Sequence, residues 1–89
     1  MNRKTKALFI INPNAGVDRV KALKSNIEAY LDNNLFDYEI VYTEYARHGT
    51  TLAKEGIEKG FELIVAVGGD GSVNDVINGI YGTRAILGI

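Results

Sequence analysis

Apolar residues along this chain fall into four short runs with stretches of helical spacing between them. Ala7-Leu8-Phe9-Ile10-Ile11 and Leu63-Ile64-Val65-Ala66-Val67 are unbroken, the mark of strands covered on both faces of a parallel sheet. Tyr38, Ile40 and Tyr42 instead alternate with Glu39, Val41 and Thr43, which predicts a half-covered strand suited to a sheet edge. Ala85-Ile86-Leu87-Gly88-Ile89 is the fourth run, and the chain stops inside it. A natural domain seldom ends in a central strand with no helix over it, so the expectation is the N-terminal part of a longer protein.

Between the runs the period changes. Val17, Val20, Leu23, Ile27 and Leu31 recur at spacings of three, three, four and four, the stripe of one amphipathic helix that Asp32-Asn33-Asn34 ends. Arg19, Lys21 and Lys24 read as its solvated face, with Arg19 nearest the preceding turn. A second helix is expected to start at Thr50 or Thr51 as N-cap, to turn Leu52, Ala53, Ile57 and nearby Phe61 to the sheet, and to stop at Gly60. The stretch from Glu44 to Gly49 before it is expected to be a loop, and His48 is given no role. Val73, Val76, Ile77 and Ile80 form a third stripe. Asn78-Gly79 is a hairpin signal inside it, but Ile77, Ile80 and Tyr81 keep helical spacing and Gly82 is the better stop.

Strand and helix alternate throughout, which calls for an open three-layer α/β sheet with parallel strands and right-handed crossovers. In the strand order 2-1-3-4 the turn Asn12-Pro13-Asn14-Ala15-Gly16, the loop Gly68-Gly69-Asp70-Gly71-Ser72 and Thr43 all meet at the carboxyl rim, where such sheets bind ligands.

Composition narrows the classes without naming one. The 89 residues suit one domain, although a chain of this size buries only about 60–65% of its unfolded surface. Residues are 46% hydrophobic and 24% charged, with a net charge of −1, so no basic excess favours nucleic acid. No run approaches the roughly 18 apolar residues of a membrane span. Met1-Asn2-Arg3-Lys4-Thr5-Lys6 leads into an apolar stretch too short for a signal-peptide core, which points to the cytoplasm. With no Cys and one His, disulfides and a zinc site are excluded, and any metal would be oxygen-bound.

The chemistry concentrates where the third strand runs into glycines. Gly68, Gly69 and Gly71 can take angles closed to other residues and let backbone N–H groups close around an anion. Ser72 is expected to cap the following helix, with Asp75 completing a capping box. No Lys follows the last glycine, so the ATPase phosphate loop does not apply. Asn74 stands where the dinucleotide fingerprint needs its third glycine. Asp70 is the anomaly: a carboxylate among N–H groups repels phosphate, so it suits a substrate hydroxyl, Mg²⁺ or a proton. The bland alternative is a glycine turn with a surface Asp, and the flanking of that acid by glycines weighs against it.

At these residues the sequence resembles a known family. Gly68-Gly69-Asp70-Gly71-Ser72 looks like the GGDG[ST] signature shared by diacylglycerol and sphingosine kinases, NAD kinases and phosphofructokinases. Asn74-Asp75-Val76-Ile77-Asn78-Gly79 and the Asn12-to-Gly16 turn are similar to runs in the bacterial diacylglycerol-kinase-like lipid kinases. Asp75 stands where those kinases usually have Glu, and Ala15 lacks a hydroxyl that some carry. The resemblance implies an ATP- and Mg²⁺-dependent kinase of lipid metabolism, this α/β part holding the nucleotide and an absent β-rich C-terminal domain supplying the lipid site. By position it implies a nucleotide set of Asn12, Gly16, Thr43, Gly68, Gly69, Asp70, Gly71, Ser72 and Asn74, with Asp70 the catalytic candidate. Peripheral membrane contact and a homodimer of the longer protein are further expectations. An NAD kinase or phosphofructokinase shares the loop but not the flanking runs. A non-catalytic nucleotide-sensing module of a regulator is the alternative of another class; a receiver-type domain needs clustered acids where Asn12-Pro13 stands.

Overall fold

A computed structural model describes residues 4–88, with the side chains of Ala15 and Val17 outside that description. The expectations on Met1, Asn2, Arg3 and Ile89 therefore lie outside the described residues, as does the place of the Val17 side chain in the first helical stripe. Strands β1 (Thr5–Ile11), β2 (Phe36–Tyr42), β3 (Leu63–Val67) and β4 (Ile86–Gly88) alternate with helices α1 (Val17–Tyr30), α2 (His48–Glu58) and α3 (Asp70–Ile80). The sheet order is β2-β1-β3-β4 and its pairs are parallel. The class is the one read from the sequence, and the order is the one in which the Asn12 turn, the glycine loop and Thr43 share a rim.

The unbroken run of β1 is covered on both sides, as its composition requires. Leu8 and Ile10 point into one cluster with Ala53, Phe61, Ile64, Ala66 and Val76, under α2 and α3. Ala7 and Phe9 point into the other with Ile27 of α1, which Leu23 and Leu31 flank. Alternation along β1 thus feeds two cores from one strand. On β2 the alternating pattern does what it predicts, since Tyr38 and Ile40 pack towards α1 while Asp37 and Glu39 stay exposed at the edge. Among the described residues no helix is long and apolar enough to cross a membrane.

Helices α2 and α3 start ahead of their candidate N-caps. Helix α2 starts at His48, not after Thr50 or Thr51, and its N-cap Arg47 is left-handed (φ 67°) with no side-chain cap bond. The Thr50 hydroxyl is drawn away from capping by a tertiary partner: it donates to the Asp75 carbonyl of α3 at 2.7 Å. At the far end Gly60 stops α2 as expected, with φ 93°. Phe61 N–H bonds to the Gly56 carbonyl and Gly60 N–H to the Ile57 carbonyl, both at 3.0 Å, the Schellman pattern that turns the chain into β3.

Helices α2 and α3 meet over small residues. A Cβ on Gly79 would stand 2.7 Å from Ala53 Cβ and 2.7 Å from the Thr50 carbonyl oxygen. The Asn78-Gly79 pair is therefore helical, and its glycine is a close-approach point rather than a hairpin turn. Gly→Ala inside a helix normally gains about 1 kcal/mol, whereas overpacking a tight contact costs about 1–3 kcal/mol. The clash with backbone at Thr50 should win. Gly79→Ala is expected to lower stability by about 1–2 kcal/mol in urea titration, while Gly71→Ala on the same helix, with nothing within 4 Å of its added Cβ, is expected to be neutral or stabilising.

Candidate functional site

Register brings the site together. Ile11 is the partner of Tyr42 on one side and of Val67 on the other, so the three strands end level. The residues that follow, Asn12, Thr43 and Gly68, emerge side by side, tied by bonds from Asn12 N–H to the Val67 carbonyl and from Thr43 N–H to the Ile11 carbonyl, each 2.9 Å. Here the connections from β1 and β3 leave towards opposite faces of the sheet, the switch point of an open α/β fold.

Asn12 holds two structures at once. Its Oδ1 accepts from Asn14 N–H at 2.9 Å, capping a short 3-10 turn at Pro13–Ala15 that runs through Gly16 (φ 111°) into α1. Its Nδ2 donates to Ser72 Oγ at 3.3 Å, joining that turn to α3. Gly68 is a glycine for two reasons: φ is 152°, and an added Cβ would come within 2.5 Å of Ser72 Oγ and 3.1 Å of Asn12 Cβ. Gly69 (φ −83°) and the helical Gly71 do not need the angles open only to glycine.

The expected capping box at Ser72 and Asp75 does not form. Helix α3 begins three residues earlier, at Asp70, with Gly69 as an N-cap that offers no side chain. The Gly69 carbonyl accepts from Ser72 N–H at 3.0 Å and Val73 N–H at 3.2 Å. Ser72 sits inside the first turn with its hydroxyl engaged by Asn12, so the tertiary bond replaces the local one. The first-turn N–H groups are left without a side-chain acceptor, and Asp70 lies at the positive end of the helix, where an acid stabilises it by about 0.3–1 kcal/mol.

These elements border a cleft of about 840 Å³. Asn12, Thr43, Gly71 and Ser72 of the expected set line it; Gly16, Gly68, Gly69, Asp70 and Asn74 do not. Asp70 and Asn74 are exposed beside it on α3. The sequence reading missed the opposite wall, formed by residues 44–47, and missed Asp75 as a lining residue. That wall is built by His48, whose Nδ1 accepts from Glu44 N–H at 2.9 Å and whose ring stacks on Tyr45 at 4.2 Å. His48 thus closes the loop, a role that no fixed sequence spacing signals. Among the described residues no group of three or more His, Cys, Asp and Glu gathers to hold a metal.

The family model described as the diacylglycerol kinase catalytic domain matches residues 6–89. A diacylglycerol kinase of Staphylococcus saprophyticus is 32% identical over 77 residues, 86% of this chain and 25% of that protein. One from Bacillus subtilis is 31% identical over 86 residues, 94% of this chain and 28% of its own length. A crystal structure of a candidate diacylglycerol kinase from Bacillus anthracis str. Sterne superposes with a TM-score of 0.70 at 28% identity, covering 98% of this chain and 30% of that one. The chain spans about a quarter of the length of these curated relatives.

The double bond of Asn12 can be taken apart by substitution. Ser72→Ala takes away the acceptor of Asn12 Nδ2 and keeps the bond to Asn14, whereas Asn12→Ala loses both. Each such bond is worth about 1 kcal/mol. Asn12→Ala is expected to lose about 2 kcal/mol and Ser72→Ala about half of that. Ser72→Ala, made in the Asn12→Ala background, should add little. A thermal-denaturation cycle with fully additive losses would remove the link between the first turn and α3.

Proposed function

The chain belongs to the diacylglycerol kinase catalytic domain family, and from that membership we propose that it supplies the ATP-binding part of a lipid kinase, which moves the γ-phosphoryl group of ATP to a lipid hydroxyl. The observation that carries this reading is the uncapped start of α3 behind Gly68-Gly69, set at the switch point of the sheet with Asn12 and Thr43 across the same cleft. Phosphoryl transfer asks little covalent chemistry of a protein and much positioning and charge stabilisation. Backbone N–H groups at a helix start donate to phosphate oxygens without reorganising. Asn12 and Thr43 add side-chain dipoles from the ends of β1 and β2.

Mg²⁺ in nucleotide sites rests on the phosphates with one or two carboxylates and keeps several waters, so no preformed acidic cluster is required. Asp70 and Asp75, one beside the cleft and one in its wall, fit that donor set. Bound there, the ion would offset charge on the transferring phosphoryl group. We take these 89 residues as the N-terminal part of a nucleotide-binding domain, with the lipid site in a further domain; the quarter-length match to the relatives supports this. On this reading the 89-residue chain binds nucleotide but turns over no lipid.

Two measurements test the proposal. In an ATP titration of the chain, the amide NMR signals of Asn12, Thr43 and Gly68 to Asn74 are expected to shift at millimolar nucleotide, while those of α1 and the far ends of the strands stay still. Unmoved loop signals would overturn the site. In the longer kinase, Asp70→Asn is expected to keep the fold, losing no more than about 1 kcal/mol of helix-end stabilisation, and to slow turnover roughly a hundredfold, the scale of a lost acid–base group. Partial rescue by excess Mg²⁺ marks Asp70 as an ion ligand, and no rescue marks it as the base or the hydroxyl's partner. Wild-type turnover would return it to a surface residue.

A further inference from the structure

We propose that Arg47 is the residue of this cleft that grips the nucleotide's phosphate chain, an inference that rests on the nucleotide reading above. Arg47 is the one non-glycine among the described residues with a positive φ, at 67° with ψ 6°. L-residues avoid that region because Cβ crowds the following carbonyl, and glycine or asparagine is the ordinary occupant. Local structure gives no reason for an arginine there. As the N-cap of α2 it makes no side-chain cap bond. It is exposed, so core packing does not hold it. Among the described residues no hydrogen bond or ion pair engages its guanidinium.

Its surroundings supply the reason. Arg47 lines the cleft from the wall opposite Gly71 and Ser72, and among the described residues it is the only cationic one in that lining, which also holds the acids Glu44 and Asp75. A triphosphate entering here meets like charge from those carboxylates and from Asp70 nearby. A guanidinium matches phosphate oxygens with paired donors and stays charged at any working pH. The loop that carries it is set beforehand. His48 holds Glu44 N–H and stacks on Tyr45, fixing the segment on either side of Arg47. Backbone strain at a cleft, an unengaged cation and a pre-set loop are together what a phosphate clamp needs.

The test sets affinity against stability. The wild-type chain, Arg47→Gly and Arg47→Lys are titrated with ATP and with adenosine, followed by amide NMR, and each is melted without ligand. Loss of a charged contact is worth about tenfold in affinity or more. Arg47→Gly is therefore expected to bind ATP at least about tenfold more weakly, to bind adenosine as before, and to melt no lower than wild type because the left-handed strain is relieved. Arg47→Lys should retain part of the ATP affinity. If wild type binds ATP and Arg47→Gly binds it equally, the clamp is overturned and the nucleotide site stands. If ATP and adenosine weaken together, or the melting temperature falls, Arg47 is a structural residue. A wild-type chain that binds neither would overturn the nucleotide reading and the clamp with it.

Discussion

Everything at the carboxyl rim depends on the register of β1. That strand pairs with both neighbours so that Ile11 lies level with Tyr42 and with Val67. A slip of one residue would exchange the faces of Leu8 and Ile10 with those of Ala7 and Phe9 and empty both cores at once. Because the register is locked by burial on two faces, the backbone positions of Asn12, Thr43 and Gly68 follow from it before their own side-chain contacts are counted. The site inherits its geometry from the core, and the two backbone bonds at 2.9 Å extend the ladder one residue past the strands.

The second constraint is how closely α2 and α3 approach. Gly79 accepts the Ala53 methyl and the Thr50 carbonyl, and Gly49 would meet Asp75 Cβ at 3.3 Å if it carried a Cβ of its own. Gly49, Ala53 and Gly79 are all buried. Larger residues would push apart the start of α2, which carries the wall at residues 44–47, and the start of α3, which carries the glycine loop. Cleft width thus depends on the small residues of the contact between α2 and α3, Gly49 of the cleft lining among them. The Thr50 hydroxyl on the Asp75 carbonyl pins the same two helices.

What was legible in the sequence was what burial decides. The unbroken runs of β1 and β3 marked the two inner strands and the alternating run of β2 an edge, whereas the apolar run of β4 lies at the other edge of the described sheet and not at its centre; helical spacing through Asn78-Gly79 marked α3 against the hairpin signal. What was not legible was what one side chain does when two partners compete for it. Ser72 and Thr50 both have the right chemistry for an N-cap, yet Asn12 takes the first and the Asp75 carbonyl the second. Each choice is made by a residue at least 25 positions away, beyond any local pattern. The wall from Glu44 to Arg47 was passed over for a related reason: its order comes from a histidine acceptor and a ring stack, neither of which has a spacing rule.

Charge at the site follows from the same geometry. A helix start behaves as roughly half a positive charge, and in α3 that half is set against the full negative charge of Asp70 in its first turn. The lining adds Glu44 and Asp75 against Arg47, so the cleft as a whole is no electropositive trap. Anion binding here, under the nucleotide reading, comes from directed N–H donors rather than from net potential, which distinguishes this loop from phosphate loops that place a lysine after the last glycine. Under the nucleotide reading, such a balance favours a phosphate chain that arrives already part-neutralised by a divalent cation over a bare polyanion. Among the described residues no ion pair engages Asp70, and under the same reading its carboxylate oxygens are left to accept from a neutral hydroxyl.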